Sequence, residues 1–123
     1  MMRQFMTTTV EQRKDFTGDF DTHPMEGAWA GEAIFFLTIE SLPQAGTVLN
    51  VRVQISADGV NWMDEGTAFP ALGEVGHYFV KVRHFGGWLR LKGRVQQRSE
   101  AEDESAAAVP ATANLSIHLA LKA

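Results

Sequence analysis

The sequence contains no cysteine among its 123 residues. It therefore carries no disulfide framework, no thiolate nucleophile and no thiolate metal site. Long apolar runs are also missing, since the longest one, AIFFL at Ala33 to Leu37, is far too short to span a bilayer. The opening residues, MMRQFMTTTVEQRK, contain no apolar core of the length that a signal peptide needs. We therefore expect no membrane partner and a product made in the host cytoplasm, which stays there or leaves by lysis as part of a virion.

A strong charge of one sign and the common catalytic motifs are absent as well. The formal net charge is −4, which gives no overall attraction to nucleic acid. No Gly-x-Ser-x-Gly, P-loop or Gly-x-Gly-x-x-Gly motif is present, and the four histidines lack metal-ligand spacing. The acidic pairs Asp19/Asp21 and Asp64/Glu65 are glycosidase-type candidates, but acidic residues are common at turns and no second element singles them out. We expect no enzyme activity, no metal and no cofactor.

Apolar residues alternate with polar ones along most of the chain, and helical periodicity is nearly absent. A period of two predicts strands with one buried and one wetter face, the pattern of antiparallel sheets. Glycine and proline divide the chain into about seven or eight such pieces, which predicts an all-β fold, an antiparallel β-sandwich or jelly roll. The four clearest strands are TVLNVRVQIS, HYFVKVRHF, WLRLKGRV and NLSIHLALK.

A fifth strand, EAIFFLTIES, is apolar on both faces. Such a strand either lies between two layers or is covered by another chain. Exposed contiguous apolar surface usually marks a partner interface, and the segment HPMEGAWAGEAIFF holds more apolar side chains than one sandwich face needs. The interface that we predict from it comprises Met25, Trp29, Ile34 and Phe36. The alternative is a crossover that packs over one end of the sandwich.

Two segments look different from the rest. Residues 1–14 are polar and weakly patterned, and we interpret them as an extended N-terminal arm that reaches a neighbouring subunit. Residues 15–123 then form a single β-sandwich domain. Within it, residues 98–111, RSEAEDESAAAVPA, are acidic and rich in alanine, which predicts a flexible loop between two strands.

The heptapeptide SADGVNW, Ser56 to Trp62, follows a strictly alternating strand. Asp-Gly is a strong hairpin signal because both residues tolerate a positive φ. The spacing is similar to the Asp-box hairpin of sialidases, although here Asp58 and Gly59 are adjacent and Asn61 replaces a threonine. We interpret the segment as a structural hairpin whose tryptophan packs on the sheet. A ligand contact through Trp62 is the alternative.

Basic residues recur on the outward positions of the later strands. They predict a basic face with Trp88 and Phe79 interleaved, formed by Arg52, Lys81, Arg83, Arg90, Lys92 and Arg94 if these strands are neighbours. Such a face could bind single-stranded nucleic acid or an acidic protein surface. The interpretation that we favour is a solvated face balanced by Asp64, Glu65 and the acidic loop, and the overall acidity argues against nucleic acid.

The segments VRVQISADGVNWMDEG and HYFVKVRHFGGWLRLKGRV, within Val51 to Val95, resemble small β-sandwich accessory proteins of tailed-phage virions, of the capsid-decoration or head-fibre type. This resemblance implies a non-enzymatic virion protein that assembles with itself or with a major capsid protein. The second resemblance is to discoidin-like carbohydrate-binding modules. It implies sugar stacking on Trp62 and Trp88, with hydrogen bonds from Asn61, Asp64 or Arg90. Those modules are usually secreted and disulfide-bonded, and the lack of a signal-peptide pattern and of cysteine in this sequence counts against this second resemblance.

Overall fold

A computed structural model describes residues 5–83, 85–97 and 109–123. These residues form nine strands and no helix, so the predicted all-β class is confirmed. Within the same ranges no helix has the length and apolar character that crossing a membrane would require. The strands are β1 Phe5–Asp21, β2 Met25–Glu26, β3 Glu32–Ser41, β4 Thr47–Ser56, β5 Met63–Ala68, β6 Gly76–Arg83, β7 Trp88–Gln97, β8 Val109–Pro110 and β9 Thr112–Lys122.

Antiparallel pairing joins the strands into two layers that share β1. The order along the path is β5-β4-β7-β1-β9-β3-β6, and β2 and β8 both pair with β7. Residues Phe5 to Thr17 of β1 pair with β9 in the layer that we call sheet A, which also contains β3 and β6. Residues Gly18 to Asp21 pair with β7 in sheet B, beside β4 and β5. The predicted antiparallel sandwich is therefore confirmed.

Glycine marks the point where β1 passes from one layer to the other. Gly18 has a φ of 65°, a left-handed conformation that side chains rarely adopt. Two register shifts occur earlier in β1, between Thr9 and Glu11 and between Glu11 and Lys14. Such irregularities bend a strand and increase its twist, and they let one chain segment serve both layers.

The core forms between the inward faces of the two sheets, as the alternating pattern predicts. Fully buried side chains come from both layers, among them Phe35 and Leu119 of sheet A and Leu49 and Leu91 of sheet B. The two-sided strand β3 lies between β9 and β6. Its inner face is buried, whereas Phe36 on its outer face is 41% exposed. The described residues therefore cover the outer face of β3 only in part.

The N-terminal segment differs from the expectation of an arm. Residues 5–14 form the first part of β1 and pair with β9 of the same chain. Their side chains are mostly exposed on both faces, so they need no strict apolar alternation, and the threonines Thr7, Thr8 and Thr9 suit an extended backbone. The predicted boundary at residue 14 therefore falls inside a strand. The polarity pattern does not reveal this strand, because backbone hydrogen bonds to β9 leave no mark on the order of polar and apolar residues.

The predicted acidic loop at 98–111 is only partly described. Residues 98–108 lie outside the described residues. Val109–Pro110 forms β8, which pairs with Gln96 and Gln97 of β7, and Ala111 is buried. The last three residues of the predicted segment are therefore held on the sheet, since Ala111 also forms backbone hydrogen bonds with Gly18 and Val95 where the two layers meet.

Candidate protein-docking face

The outward side of sheet A is a regular grid of side chains. Residues directly opposite each other in antiparallel strands point to the same face, so the strand registers define rows across β6, β3, β9 and β1. We call this surface the sheet A outer face. Its rows are Arg83–Glu32–Lys122–Phe5, Lys81–Ile34–Ala120–Thr7, Phe79–Phe36–His118–Thr9 and His77–Thr38–Ser116.

An aromatic pair lies in the middle of the sheet A outer face. The ring centroids of Phe36 and Phe79 are 6.3 Å apart, with the planes tilted by 40°. Phe36 is 41% and Phe79 58% exposed, and Ile34 beside them is half-buried. Offset or tilted aromatic pairs at this distance attract each other, which holds the two rings together as one apolar surface.

One end of this face is positively charged. Arg83 Nη2 lies 3.7 Å from Glu32 Oε1, and Lys81 and Lys122 add two more cations. A shallow depression of about 140 Å³ lies among these four side chains and Ile34. Three cations surround one carboxylate there, so the end carries a net positive charge.

The opposite end is polar. Thr38 Oγ1 and His77 Nδ1 are 2.9 Å apart, and the Arg13 amide donates to Ser116 Oγ at 3.0 Å. Glu40, exposed near the end of β3, follows this row at the point where the β3–β9 register shifts between Ile39 and Ser41. The face thus runs from a basic end, through an aromatic centre, to a polar end that carries a carboxylate.

The outward side of sheet B is charged but internally matched. Gln54 accepts a hydrogen bond from Arg90 Nε at 2.9 Å and donates to Asp64 Oδ1 at 3.0 Å. Arg52 Nε also donates to Asp64 Oδ1, at 2.9 Å. The pKa of Asp64 is lowered, first by the Gln54 hydrogen bond and then by Arg52. Arg52, Arg90 and Asp64 are therefore joined through Gln54 in one hydrogen-bonded network on this side.

Two further ion pairs tie β1 to β7 on the same side. Arg94 donates to Asp19 through Nε and Nη2, and this hydrogen bond lowers the pKa of Asp19 and raises that of Arg94. Arg90 Nη1 lies 3.6 Å from Asp21 Oδ2. They secure the short part of β1 that belongs to sheet B.

The predicted basic face divides between the two layers. Arg52, Arg90, Lys92 and Arg94 share the outer side of sheet B, because β4 and β7 are neighbours. Lys81 and Arg83 lie on β6, at the far end of the strand path in sheet A. The expectation of one face with all six residues is therefore corrected. Strand order, which decides this point, depends on pairing between distant segments.

The SADGVNW segment forms the turn of the β4–β5 hairpin, as predicted from its Asp-Gly pair. Ser56 Oγ accepts hydrogen bonds from the amides of Asp58 and Gly59 at 3.3 and 2.8 Å. Asp58 Oδ1 accepts from the amides of Val60 and Asn61 at 2.9 and 2.8 Å. These backbone donors hold the pKa of Asp58 well below its usual range. Gly59, with φ 77°, supplies the left-handed position of the turn.

Both tryptophans near this turn are half-buried on the sheet. Arg90 Cζ lies 4.4 Å from the ring centroid of Trp62, a cation–π contact. Trp88 packs against Gly59, where an added Cβ would meet the ring at 3.2 Å. Asn61 Nδ2 donates to Asp58, so two polar groups suggested for sugar binding, Asn61 and Arg90, already bond within the chain. Sugar binding by Trp62 and Trp88 stays a prediction, which a glycan array tests.

The predicted interface residues fall in different places. Ile34 and Phe36 lie on the sheet A outer face. Met25 lies on β2 opposite Leu89 of β7, half-buried against the core, and Trp29 is 41% exposed in the turn before β3. Phe79, which the sequence assigns to the basic face, lies instead beside Phe36 on the sheet A outer face. Its outward position in an alternating strand was visible, but its pairing with Phe36 depends on the β3–β6 register.

The described residues contain no group of three or more histidine, aspartate or glutamate side chains placed to hold a metal ion. Of the four histidines, His84 lies outside the described residues. His77 and His118 lie on the sheet A outer face.

Comparison with known proteins gives a fold and no family. No family model and no curated protein matches the chain. Among solved structures, the infectious bursal disease virus Gx strain matches with a TM-score of 0.64 and 11% identity, over 99% of this chain. The VP2 subviral particle of the same virus matches with a TM-score of 0.60 and 10% identity, over 98% of this chain. The chain spans 33% and 32% of those two chains.

Proposed function

We propose that this chain is a non-enzymatic structural part of a virion, which assembles with copies of itself or with the protein of a shell lattice. The observation that carries the proposal is the fold likeness to infectious bursal disease virus particles, which extends over 99% of the chain. Sandwich folds host many functions, so the fold likeness alone does not establish a role in assembly, and a surface suited to contact between proteins is needed as second support.

The sheet A outer face supplies that reason. Phe36 and Phe79 expose two aromatic rings on a sheet whose inner face is already buried in the core. Burying exposed apolar surface stabilises an assembly by about 25 cal/mol per Å² removed from water. A virion part has many identical neighbours, and a weak contact repeated over a lattice gains from multivalency.

The finer proposal is a capsid-decorating or stabilising protein of a tailed phage. The resemblance of Val51 to Val95 to phage accessory sandwiches supports this version. The chain would then be made in the host cytoplasm and act in the virion, with a major capsid protein as its partner.

Particle fractionation tests the proposal. Lysate from cells that produce the chain is separated on a density gradient, and peptides of the chain are quantified by mass spectrometry across the fractions. We expect the chain in the particle band at a constant molar ratio to the main shell protein, unchanged by a high-salt wash. Recovery of the chain only as free protein at the top of the gradient would overturn the proposal.

A further inference from the structure

We infer that the sheet A outer face binds the same face of a second copy of this chain, with the strands of the two copies running in opposite directions. This inference deepens the proposed function and rests on it for its biological meaning. Three properties of the face support it: its charge polarity, the central place of the aromatic pair, and its area.

The charge polarity of the face favours a reversed second copy. Arg83, Lys122 and Glu32 share one end row with a net charge of +1, and Lys81 in the next row adds another positive charge. Glu40 lies at the other end of β3 and is exposed. A copy related by a twofold axis across the strands places its Glu40 over Glu32, between Arg83 and Lys122, so this carboxylate meets a row whose net charge is +1. A copy with parallel strands would instead bring two basic ends together, which costs free energy.

The aromatic pair lies at the centre of this arrangement. Phe36 is midway along β3 between Glu32 and Glu40, and Phe79 is directly opposite it on β6. A twofold axis through this row brings the two rings of one copy against those of the other. The most apolar part of the face then becomes the buried centre, while the charged ends form the rim. Specific interfaces have this anatomy.

The area of the face predicts a weak contact. Four strands by nine residues of β3 cover about 19 Å by about 27 Å, or roughly 500 Å². Two such faces bury roughly 1,000 Å² in total, the lower limit for a specific interface. We therefore expect a dissociation constant on the order of 0.1 mM in solution. A contact this weak becomes stable when a lattice repeats it.

Sedimentation velocity on the purified chain tests the inference, over concentrations that bracket the expected dissociation constant. The wild-type chain should show a monomer–dimer equilibrium. The double variant Phe36→Asp/Phe79→Asp should weaken the association at least about tenfold, since it charges the centre of the interface. Both residues are exposed, so the variant should keep its fold, which circular dichroism checks. Met63→Asp is the matched control, because Met63 is 62% exposed on the other sheet.

Charge exchange provides the second arm. Glu40→Lys alone and Lys122→Glu alone should each weaken the dimer. The two substitutions together should restore it, because the two positions then carry opposite charges again, with the signs exchanged. Chemical shifts of the wild-type chain, followed with concentration, give a readout without mutation and should move on β3 and β6. A chain that is monomeric throughout the range overturns the inference, as does an equal loss in the Met63→Asp control. The particle fractionation tests the proposed function independently. A chain that is monomeric in solution but recovered in the particle band would therefore overturn the dimer and support the virion role.

Discussion

A single methyl group added at Gly93 tests how tightly β1 and β4 pack against β7. Gly93 lies opposite Val51 of β4 and Phe20 of β1. A Cβ at this position would lie 2.7 Å from the Asn50 carbonyl oxygen and 2.8 Å from Phe20 Cζ. Favourable contacts lie at about 3.5–4.0 Å, so the Phe20 ring would have to move by about 0.7 Å. The Asn50 oxygen belongs to the backbone of a central strand and cannot rotate away.

The magnitude of the Gly93→Ala effect follows from these distances. Overpacking in a well-packed core costs about 1–3 kcal/mol, and the backbone contact places this site near the upper end. Replacing glycine lowers the entropy of the unfolded chain, which returns about 0.4–1 kcal/mol. We expect a net destabilisation of about 2 kcal/mol, equivalent to a decrease in Tm of roughly 8 °C for a domain of this size.

Urea unfolding followed by circular dichroism measures this free energy. Gly31→Ala is the control, because nothing lies within 4 Å of an added Cβ there and its φ is not left-handed. It should be neutral or slightly stabilising. The double variant Phe20→Leu/Gly93→Ala should lose less stability than the sum of its single variants, since the smaller side chain relieves one of the two clashes. A free energy of unfolding for Gly93→Ala within about 0.5 kcal/mol of that for Gly31→Ala would show that β1 and β4 do not pack closely against Gly93.

Three further predictions address the turn, the sheet B network and β1. Asp58→Asn should lower stability at neutral pH. The folded-state pKa of Asp58 lies below its ordinary value of 3.8, so the stability that the carboxylate contributes should fade as pH falls below that value. The free energies of unfolding of the wild-type chain and of Asp58→Asn should therefore converge in acid. A constant difference between them over the whole pH range would contradict this. Arg90→Lys should cost about 1 kcal/mol and shift the indole resonance of Trp62, since lysine keeps the charge but not the planar stacking group; an unmoved resonance would argue against the contact. Deleting residues 1–14 should lower Tm and promote aggregation by uncovering the edge of β9, whereas a dispensable arm would leave both unchanged.

The sequence carried enough information for the strands, because alternation is local. The inward sets of β4, β7 and β9 follow directly from a period of two, and the Asp58-Gly59 turn follows from its φ requirements. Residues 5–14 could not be assigned in this way. Their pairing with β9 depends on backbone hydrogen bonds to a segment about 100 residues away, and their side chains carry no alternation to reveal it.

The candidate site was only half predictable for the same reason. Phe36 stood out because β3 is apolar on both faces. Phe79 belongs to the site only because the strand register places it opposite Phe36. Lys81 lies on a different face from Arg90 because the strand order separates β6 from β7. Register and strand order are properties of contacts between distant segments, which one sequence without relatives does not specify.

The two outer faces differ in what covering them with a partner would cost. On sheet B, Arg90 and Asp64 already form hydrogen bonds with Gln54. A partner would therefore have to remove water from these charged groups without offering them better contacts. On sheet A, Phe36 and Phe79 gain from losing water. Substitutions on sheet B should therefore change the stability of the single chain and leave its assembly alone. Substitutions of the two phenylalanines should do the reverse, and it is this separation that makes the sheet A outer face the surface to test for assembly.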